Sequence, residues 1–448
     1  MLVLKEHNHF YYSGCHLDYL RKSYAWEDDL IIPKPLYFKQ NQAVCLKIDS
    51  KADSEKIRTL KLETSYYIGL QYINEWKLPV LIEPKLNNKL KRLDFLGMLI
   101  EALHDSENFN HLGGLMEVDY DAEWIEVPAE YEVELTPFLI VQFLMIVKQI
   151  VKKGLKKSYY PKTENLRSRI KGKILVNQQL KQNVFKQRLT NTVCTYQEFG
   201  FDTFENQFLK YVSQIIYSFI GNFDPIFKSQ LLELLNYNNA AFQHVSDNKF
   251  KSFEGKERNS FYKAYNIAFN LGNQILKMMD LNYDTRISNI KKYPPHWLDM
   301  SKLFELYTFK KLREKFCGEG EVKYHEKIHY QELDFIINTK DFKAVVDAKY
   351  KPRYKNGNPT KEDARQLAGY SRLNKVYEEL GINEDQIIPV YFVYPKELDE
   401  AQTFEELIQT EDSVENNNLI SILKSETSVR EVKAYKKMFM QEVSMKTF

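Results

Sequence analysis

Short segments in which hydrophobic and polar residues alternate fill the first quarter of the chain. Alternation over a few residues is typical of a strand that has one buried face. A stretch with apolar residues at helical spacing then follows. These patterns predict a β-rich N-terminal domain over residues 1–115, with strands at 30–38, 43–48, 66–73 and 78–84 and a helix at 93–104.

The middle region, residues 116–290, combines helical periodicity with one strand-forming run. Asp202 precedes one of the helices and is predicted to cap it, because a carboxylate can accept the free amide protons of the first turn. Asn206 is expected to be buried and hydrogen-bonded. The pattern predicts helices at 136–153, 205–219 and 224–279, with a polar loop at 244–256 in the last of them, and a strand-forming run at 166–179.

Residues 291–400 show the order helix, hairpin, helix and buried strand. The hairpin is predicted from β-branched and aromatic runs on both sides of a polar turn. Ser301 lies near a cap position of the first helix. The predicted elements are a helix at 297–312, a short strand at 321–324, the hairpin at 333–349, a helix at 361–375, a strand at 387–394, and a basic amphipathic helix at 429–440 in the tail 401–448. The fold class is therefore α+β and multidomain, with an α/β core near the C-terminus.

Charged residues stand at the ends of the predicted hairpin strands. Asp334 opens the first strand, and Asp347 and Lys349 close the second. Side chains two residues apart on a strand point to the same face. Two carboxylates offer hard oxygen ligands for Mg²⁺, and a bound Mg²⁺ polarises a scissile phosphate and lowers the pKa of an attacking water. Lys349 would position that water or neutralise developing charge. The pattern thus suits phosphodiester hydrolysis, but a D-x-K sequence also occurs at merely solvated strand ends, and the neighbouring motifs must decide between the two interpretations.

Composition narrows the class of protein. The chain has 448 residues, of which 44% are hydrophobic and 14% aromatic, so it can bury sizeable cores. Its four cysteines are far apart and form no CxxC pair, which indicates reduced, buried thiols in a cytoplasmic protein. The sequence shows no membrane-spanning stretch, no signal peptide and no GxxxxGK[ST] phosphate loop.

The net charge of +2 hides an uneven distribution. Residues 117–134 carry eight acidic residues and no basic one, which indicates a connector facing solvent or a protein partner. Residues 145–190 include 13 Lys and Arg but only one acidic residue, Glu164. Such a surface suits phosphate contact, although it would also suit an acidic partner. The predicted DNA-binding residues are Arg167, Arg169, Lys171 and Lys173.

The hairpin residues resemble the PD-(D/E)xK nuclease core. Leu333-Asp334 stands for the "PD", with Leu in place of the non-ligating Pro, and Asp347-Ala348-Lys349 stands for the "(D/E)xK". The resemblance implies a third metal-binding acid from the preceding helix, here Glu305. Gln366 and Tyr370 share one helical face and resemble the Gln-x-x-x-Tyr motif of RecB-like nucleases. The implied catalytic set is Glu305, Asp334, Asp347, Lys349, Gln366 and Tyr370, with Mg²⁺, or Mn²⁺ as an alternative, held by the three acids.

A second resemblance covers residues 66–395 and points to the McrC family. Near the N-terminus it rests on a strand with an Ile-x-Pro-Lys end and on a helix bearing Met-Leu: Ile82, Pro84, Lys85, Met98 and Leu99. In the middle it rests on "LRxRxxGKI", on a Tyr-x-Glu strand at Tyr196, and on Asp-x-x-x-Asn at 202–206. Lys171 and Lys173 stand where the family has arginines, which keeps the charge but loses bidentate contacts.

The McrC resemblance implies the DNA-cutting subunit of a McrBC-like restriction system. Such a subunit docks through its N-terminal region on a hexameric AAA+ GTPase, stimulates it and cuts foreign DNA. Two other interpretations stay open: a non-catalytic DNA-clamp regulator of an AAA+ motor, and a standalone RecB-like nuclease. Intact acids and lysine favour catalysis over the clamp, and the large N-terminal half disfavours the standalone enzyme.

Overall fold

The fold is taken from a computed structural model of the chain. Its element order follows from the pattern of apolar residues, but several boundaries were set by tertiary contacts. The structure describes residues 1–18, 33–39, 41–52, 57–88, 90–119, 122–127, 136–223, 225–255, 262–284, 291–318, 320–328, 331–351, 359–383, 385–396, 420–424, 429–445 and 447.

Strands occur along the whole described part of the chain. They are β1 Leu2–Lys5, β2 His9–Ser13, β3 Leu36–Phe38, β4 Ala43–Ala52, β5 Ile57–Thr64, β6 Tyr67–Ile73, β7 Leu78–Glu83, β8 Met116–Val118, β9 Ile125–Val127, β10 Ser158–Arg167, β11 Lys173–Ile174, β12 Asn191–Gly200, β13 Lys291–Tyr293, β14 His296–Asp299, β15 Val322–Ile328, β16 Gln331–Asn338, β17 Lys343–Ala348, β18 Val390–Pro395, β19 Val429–Glu431 and β20 Met438–Val443.

Helices connect and cover these strands. They are α1 Phe95–Ala102, α2 Thr136–Lys153, α3 Val176–Gln179, α4 Phe204–Phe219, α5 Pro225–Ala241, α6 Lys263–Asp284, α7 Met300–Lys315, α8 Lys361–Tyr370 and α9 Asn374–Leu380. Among the described residues, no helix combines the length and apolar character that crossing a membrane would require.

The chain forms two compact units, Met1–Val133 with Ile290–Phe448, and Glu134–Asn289. It is thus a mixed α+β protein with more than one folding unit. The predicted ranges 1–115 and 291–400 fall together in the first unit because β14 pairs antiparallel with both β6 and β8. A strand from the second chain segment therefore completes a sheet that the first segment begins.

The first unit contains the sheet on which Asp334 and Asp347 lie. Its strand order is β15-β16-β17-β18-β20-β19, with antiparallel pairing from β15 to β17 and parallel pairing from β17 through β18 to β20. Strand β18 is buried along its whole length, as expected of a strand covered on both faces. Helices α8 and α9 pack on one side through Leu367, Val376 and Leu380, which join one apolar cluster with Ile336 and Val345.

The second unit joins a helical core to a long hairpin. Strands β10 and β12 pair antiparallel over their full length, and β11 adds to β12. Asn206, at the start of α4, is fully buried. Its side chain donates to the carbonyls of Lys156 (2.9 Å) and Phe201 (2.7 Å) and accepts from the Tyr265 hydroxyl (2.7 Å). The expectation that Asn206 is buried and hydrogen-bonded is confirmed, and its task is structural.

One predicted helix cap was wrong. Thr203, not Asp202, caps α4, since its hydroxyl accepts from the Asn206 amide; Asp202 instead accepts from Ser246, from both its amide and its hydroxyl. Asp299 caps α7 by accepting from the Lys302 amide at 3.0 Å, and Ser301, which was predicted to lie near the cap, is two residues further on. In each case the residue in extended conformation directly before the helix has the required geometry.

The helix predicted at 429–440 was also wrong. This segment forms β19 and β20, and β20 pairs parallel with β18. Met438 and Met440 are buried in the apolar cluster of this sheet, and the rings of Phe439 and Tyr391 lie 4.9 Å apart. Pairing with a buried strand outweighed the local helical spacing, because alternate side chains could then be buried. Residues 401–419, at the start of the tail, lie outside the described residues.

Smaller differences concern the other C-terminal elements and the cysteines. The helix predicted at 361–375 is two helices, since α8 ends at Tyr370 and α9 starts only at Asn374. The strand predicted at 321–324 extends to Ile328. Cys45 and Cys194 are buried as expected, whereas Cys15 and Cys317 are exposed; all four are free thiols.

Candidate functional site

Two acidic residues lie side by side on neighbouring strands of the six-stranded sheet. Asp334 stands in the middle of β16 rather than at its start, and Asp347 is next to the last residue of β17. The register pairs Phe335 with Val346, which places Asp334 opposite Asp347 on the same face. The backbone amide of Ala348 donates to Asp334 Oδ2 at 2.8 Å. The sheet therefore brings together the two carboxylates that the sequence singled out.

Both carboxylates are held in surroundings that disfavour their charge. Burial, together with the charges of Asp347 and Glu305, raises the pKa of Asp334 well above its ordinary value. Burial likewise raises the pKa of Asp347, against the opposing effect of Lys349. Only 2% of Asp347 is exposed. Negative charge that is crowded and desolvated in this way calls for a cation.

Lys349 supplies one cation, directly after the end of β17. Its Nζ lies 2.9 Å from Asp347 Oδ2 and 3.4 Å from Gln366 Oε1. Burial disfavours the ammonium, but the carboxylates around it, Asp347 first, raise its pKa above the usual value. Gln366 Nε2 in turn donates to the Tyr370 hydroxyl at 2.5 Å. The structure thus gathers Asp347, Lys349, Gln366 and Tyr370, and Lys349 stays charged there.

Glu305 reaches the same region from α7. Its Oε2 accepts from the Tyr324 hydroxyl at 3.1 Å and lies 2.9 Å from His325 Nε2. Both partners belong to β15, the strand that pairs with β16. The sequence reasoning did not include His325 among the site residues. No local signal pointed to it, because the strand predicted at 321–324 stops before His325 and the residue meets Asp334 only through the β15–β16 register.

Three of these side chains are close enough to hold one metal ion. The ligand atoms of Glu305, His325 and Asp334 all lie within 4.8 Å of one another. Asp347, the third predicted metal ligand, is not in this group, and its carboxylate faces Lys349. Carboxylate oxygens suit Mg²⁺ and Mn²⁺. The donor set and the crowded carboxylates therefore fit a divalent cation.

A buried cluster of Glu6, Lys85 and Tyr350 contacts the backbone directly after Lys349. Lys85, at the end of the Ile-x-Pro-Lys motif, donates from Nζ to the Tyr350 carbonyl at 2.7 Å and lies 3.8 Å above the Tyr350 ring. The Tyr350 hydroxyl donates to Glu6 Oε1 at 2.8 Å, and the Lys85 amide donates to the same oxygen at 2.9 Å. Glu6 and Tyr350 were missed from the sequence, because nothing local links residues this far apart.

The opposed charges of this cluster are strongly desolvated. Burial raises the pKa of Glu6 to about 7, although Lys85 opposes the shift. Burial lowers the pKa of Lys85 to about 8, with Glu6 opposing. The cluster fixes the backbone immediately after Lys349 to strands from the start of the chain. Lys85 is therefore a positioning residue for this part of the site.

The predicted DNA-binding residues belong to the second unit. Arg167 ends β10, Lys173 begins β11, and all four basic residues are exposed. Lys171 Nζ stacks 3.8 Å above the Tyr196 ring. Nearby, Phe185 and Leu189 are 77% and 81% exposed. This surface, basic and apolar at once, suits a protein partner as well as phosphate.

Comparisons with known proteins were made by family and by structure. Among curated proteins, none matches this chain. One similar solved structure is a half-complex of a tetradecameric assembly of Thermococcus gammatolerans McrB AAA+ hexamers with bound McrC; identity is 14%, coverage is 99% of this chain and 94% of that chain, and the TM-score is 0.36. Another is the McrBC complex of the same organism, with 15% identity, 70% and 88% coverage and a TM-score of 0.27.

The family comparison covers most of the chain. The model described as "McrBC 5-methylcytosine restriction system component" matches residues 62–380, which is more than half of the 448 residues. The matched range includes Lys85, the basic residues from Arg167 to Lys173 and the residues from Glu305 to Tyr370. The chain belongs to the McrBC family of restriction system components.

Proposed function

We propose that this chain is the DNA-cutting subunit of a McrBC-like restriction system and a divalent-cation-dependent endodeoxyribonuclease with a PD-(D/E)xK core. One observation carries the proposal: Asp334, Asp347 and Lys349 meet on adjacent strands beside Glu305. A non-catalytic clamp would have no need of two buried carboxylates with raised pKa values and a lysine held against them.

Each residue has a distinct part in the proposed reaction. Glu305 and Asp334 would hold Mg²⁺ or Mn²⁺, with Asp347 next to them. When bound, the cation polarises the scissile phosphate and lowers the pKa of an attacking water. Lys349, held by Asp347 and Gln366, presents an ammonium to the negative charge that develops on the phosphate. Tyr370 fixes Gln366 through its hydroxyl.

The proposed partners are DNA and an McrB-like AAA+ GTPase hexamer. The basic residues Arg167, Arg169, Lys171 and Lys173 are proposed to contact DNA phosphates, a role that exposed Lys and Arg side chains suit. The GTPase is proposed because the chain belongs to the McrBC family and its own sequence has no phosphate loop. A DNA substrate and free thiols support a cytoplasmic location.

The test is cleavage of modified and unmodified plasmid DNA with Mg²⁺, with and without the AAA+ partner and GTP. We expect cutting that requires the partner and falls by about 10²–10³-fold in Lys349→Ala, because a charge-stabilising group is lost. Lys361→Ala, an exposed lysine at the start of α8, is the matched control and should cut normally.

Other outcomes would replace the proposal. Cutting without the partner would indicate a standalone nuclease. If the chain stimulated GTP hydrolysis by the partner but cut DNA under no condition, it would be a non-catalytic DNA-clamp regulator. Asp347→Ala should stop cutting and leave GTPase stimulation intact; if stimulation also collapsed in folded protein, cutting and motor activation would not be separate tasks.

A further inference from the structure

His325 occupies an unusual backbone position directly opposite Asp334. The pairs Tyr324 with Phe335 and Glu326 with Leu333 flank it in the β15–β16 register. Its φ of +53° lies in the left-handed region, which costs a non-glycine residue about 1–3 kcal/mol and is concentrated at functional sites. The backbone thereby turns the imidazole toward Glu305 and Asp334.

A second carboxylate orients the ring from behind. His325 Nδ1 lies 3.1 Å from Glu332 Oε1, while Nε2 lies 2.9 Å from Glu305 Oε2. Glu332 is thus placed to accept the Nδ1 proton, as carboxylates do behind metal-binding histidines. A neutral ring in that tautomer aims the Nε2 lone pair at the lone pairs of Glu305. A cation bound by both His325 Nε2 and the Glu305 carboxylate would remove the repulsion between their lone pairs.

We propose that His325 is a nitrogen ligand of the cation held by Glu305 and Asp334, and that Glu332 positions its ring. This inference rests on the proposed function and adds to it a metal preference. Mg²⁺ favours all-oxygen sites, whereas imidazole suits transition metals. The mixed donor set therefore favours Mn²⁺ over Mg²⁺. An ion pair of protonated His325 with its two carboxylate neighbours is the competing arrangement.

The test is pulsed electron paramagnetic resonance of the full chain loaded with Mn²⁺, which detects a directly bound imidazole through its ¹⁴N coupling. We expect this coupling in the wild type and its replacement by a ¹⁵N pattern when the protein is grown with ¹⁵N-histidine. The labelled wild type needs no substitution, so the result does not depend on whether a variant folds.

Variants then assign the signal. His325→Ala should lose the ¹⁴N coupling and bind Mn²⁺ at least about 10-fold more weakly, with a smaller loss for Mg²⁺, and Glu332→Gln should weaken Mn²⁺ binding while keeping the coupling. His244→Ala, an exposed histidine of the other unit, should change neither measurement.

Two failures can be told apart. Mn²⁺ that binds, requires Asp334, and shows no histidine coupling would overturn the assignment of His325 and leave the proposed function standing. Wild-type protein that binds no Mn²⁺, or binds it equally well after Asp334→Asn, would overturn both the ligand assignment and the proposed cation site.

Discussion

At the scale of single residues, the candidate site holds acidic side chains in an environment that disfavours their negative charge. Asp334 and Asp347 are buried neighbours whose pKa values are both raised, first of all by burial. Residues of this kind lower stability in exchange for activity. The local sequence singled out these two acids as candidates, but it contained no information on how strongly they would be desolvated. That depends on the strands and helices packed over them.

Replacing one of these acids by its amide is expected to stabilise the metal-free protein. Asparagine at position 334 keeps an oxygen for the Ala348 amide, now 2.8 Å from Asp334 Oδ2, and removes the repulsion by Asp347. We expect Asp334→Asn to raise the free energy of unfolding in EDTA by about 1–2 kcal/mol, measured by thermal or denaturant unfolding.

Asp341→Asn, an exposed acid of the turn after β16, is the control and should change the unfolding free energy by less than about 0.5 kcal/mol. Adding Mn²⁺ should stabilise the wild type but not Asp334→Asn. A lower unfolding free energy for Asp334→Asn in EDTA would show that the carboxylate is structural rather than a poised ligand.

At the scale of elements, the β10–β11–β12 sheet depends on one glycine. Gly172 has a φ of +71°, and a Cβ there would lie 2.4 Å from the Thr195 carbonyl oxygen. The sequence pattern drew attention only to its neighbours Lys171 and Lys173. Its physical task is to let the chain approach β12 closely enough for β11 to pair with Thr195 and Cys194.

Gly172→Val should therefore release β11 from β12. The side chain collides with backbone and the left-handed conformation disfavours a β-branched residue, at a cost of about 1–3 kcal/mol or more. We expect faster amide hydrogen exchange in β11 and β12, with exchange in β16 to β18 unchanged. Gly221→Ala, where an added Cβ meets nothing within 4 Å, should leave the exchange of β12 as it is.

At the scale of the whole molecule, segments far apart in sequence build the first unit together. Strand β14 completes a sheet begun near the N-terminus, and Lys85 binds the backbone of Tyr350. Burial raises the pKa of Glu6 to about 7 and lowers the pKa of Lys85 to about 8. Both charged forms are therefore tolerated only as a pair, and only near neutral pH.

The pH dependence of this pair has a definite sign. Because the folded pKa of Glu6 is raised from 4.5 to about 7, its contribution to stability declines as pH rises through that interval. The folded pKa of Lys85 is lowered from 10.5 to about 8, so its contribution is present above 10.5 and is lost as pH falls toward 8.

Lys85→Met keeps the backbone amide that donates to Glu6 but removes the positive charge that opposes the raised pKa of the Glu6 carboxyl. We expect a loss of about 3–5 kcal/mol in the free energy of unfolding near pH 8, where Glu6 would lose this compensating charge, and a clearly smaller loss near pH 6. Denaturant unfolding at both pH values measures the difference. Adding Glu6→Gln should abolish this pH dependence, and equal losses at both pH values would contradict the assigned roles.

The sequence by itself determined the order of the elements from α7 to β18. It also determined that Asp334, Asp347 and Lys349 stand on the hairpin strands or directly after them, and that Gln366 and Tyr370 lie on the same face of a helix. These features are encoded in neighbouring residues, through periodicity and short spacings. It also predicted the buried Asn206 correctly. For these features, adjacent residues contain enough information. The strand-forming run predicted at 166–179 was wrong over much of its length, since it contains the end of β10, the two-residue β11 and helix α3.

Only the tertiary structure decided the rest. His325 joined the site through strand register, Glu6 and Tyr350 met Lys85 across most of the chain length, and residues 429–443 became strands because a buried neighbour was available. Pairing over long separations depends on which surfaces meet, and a helical spacing of apolar residues can be overruled when alternate burial on a sheet removes more surface from water.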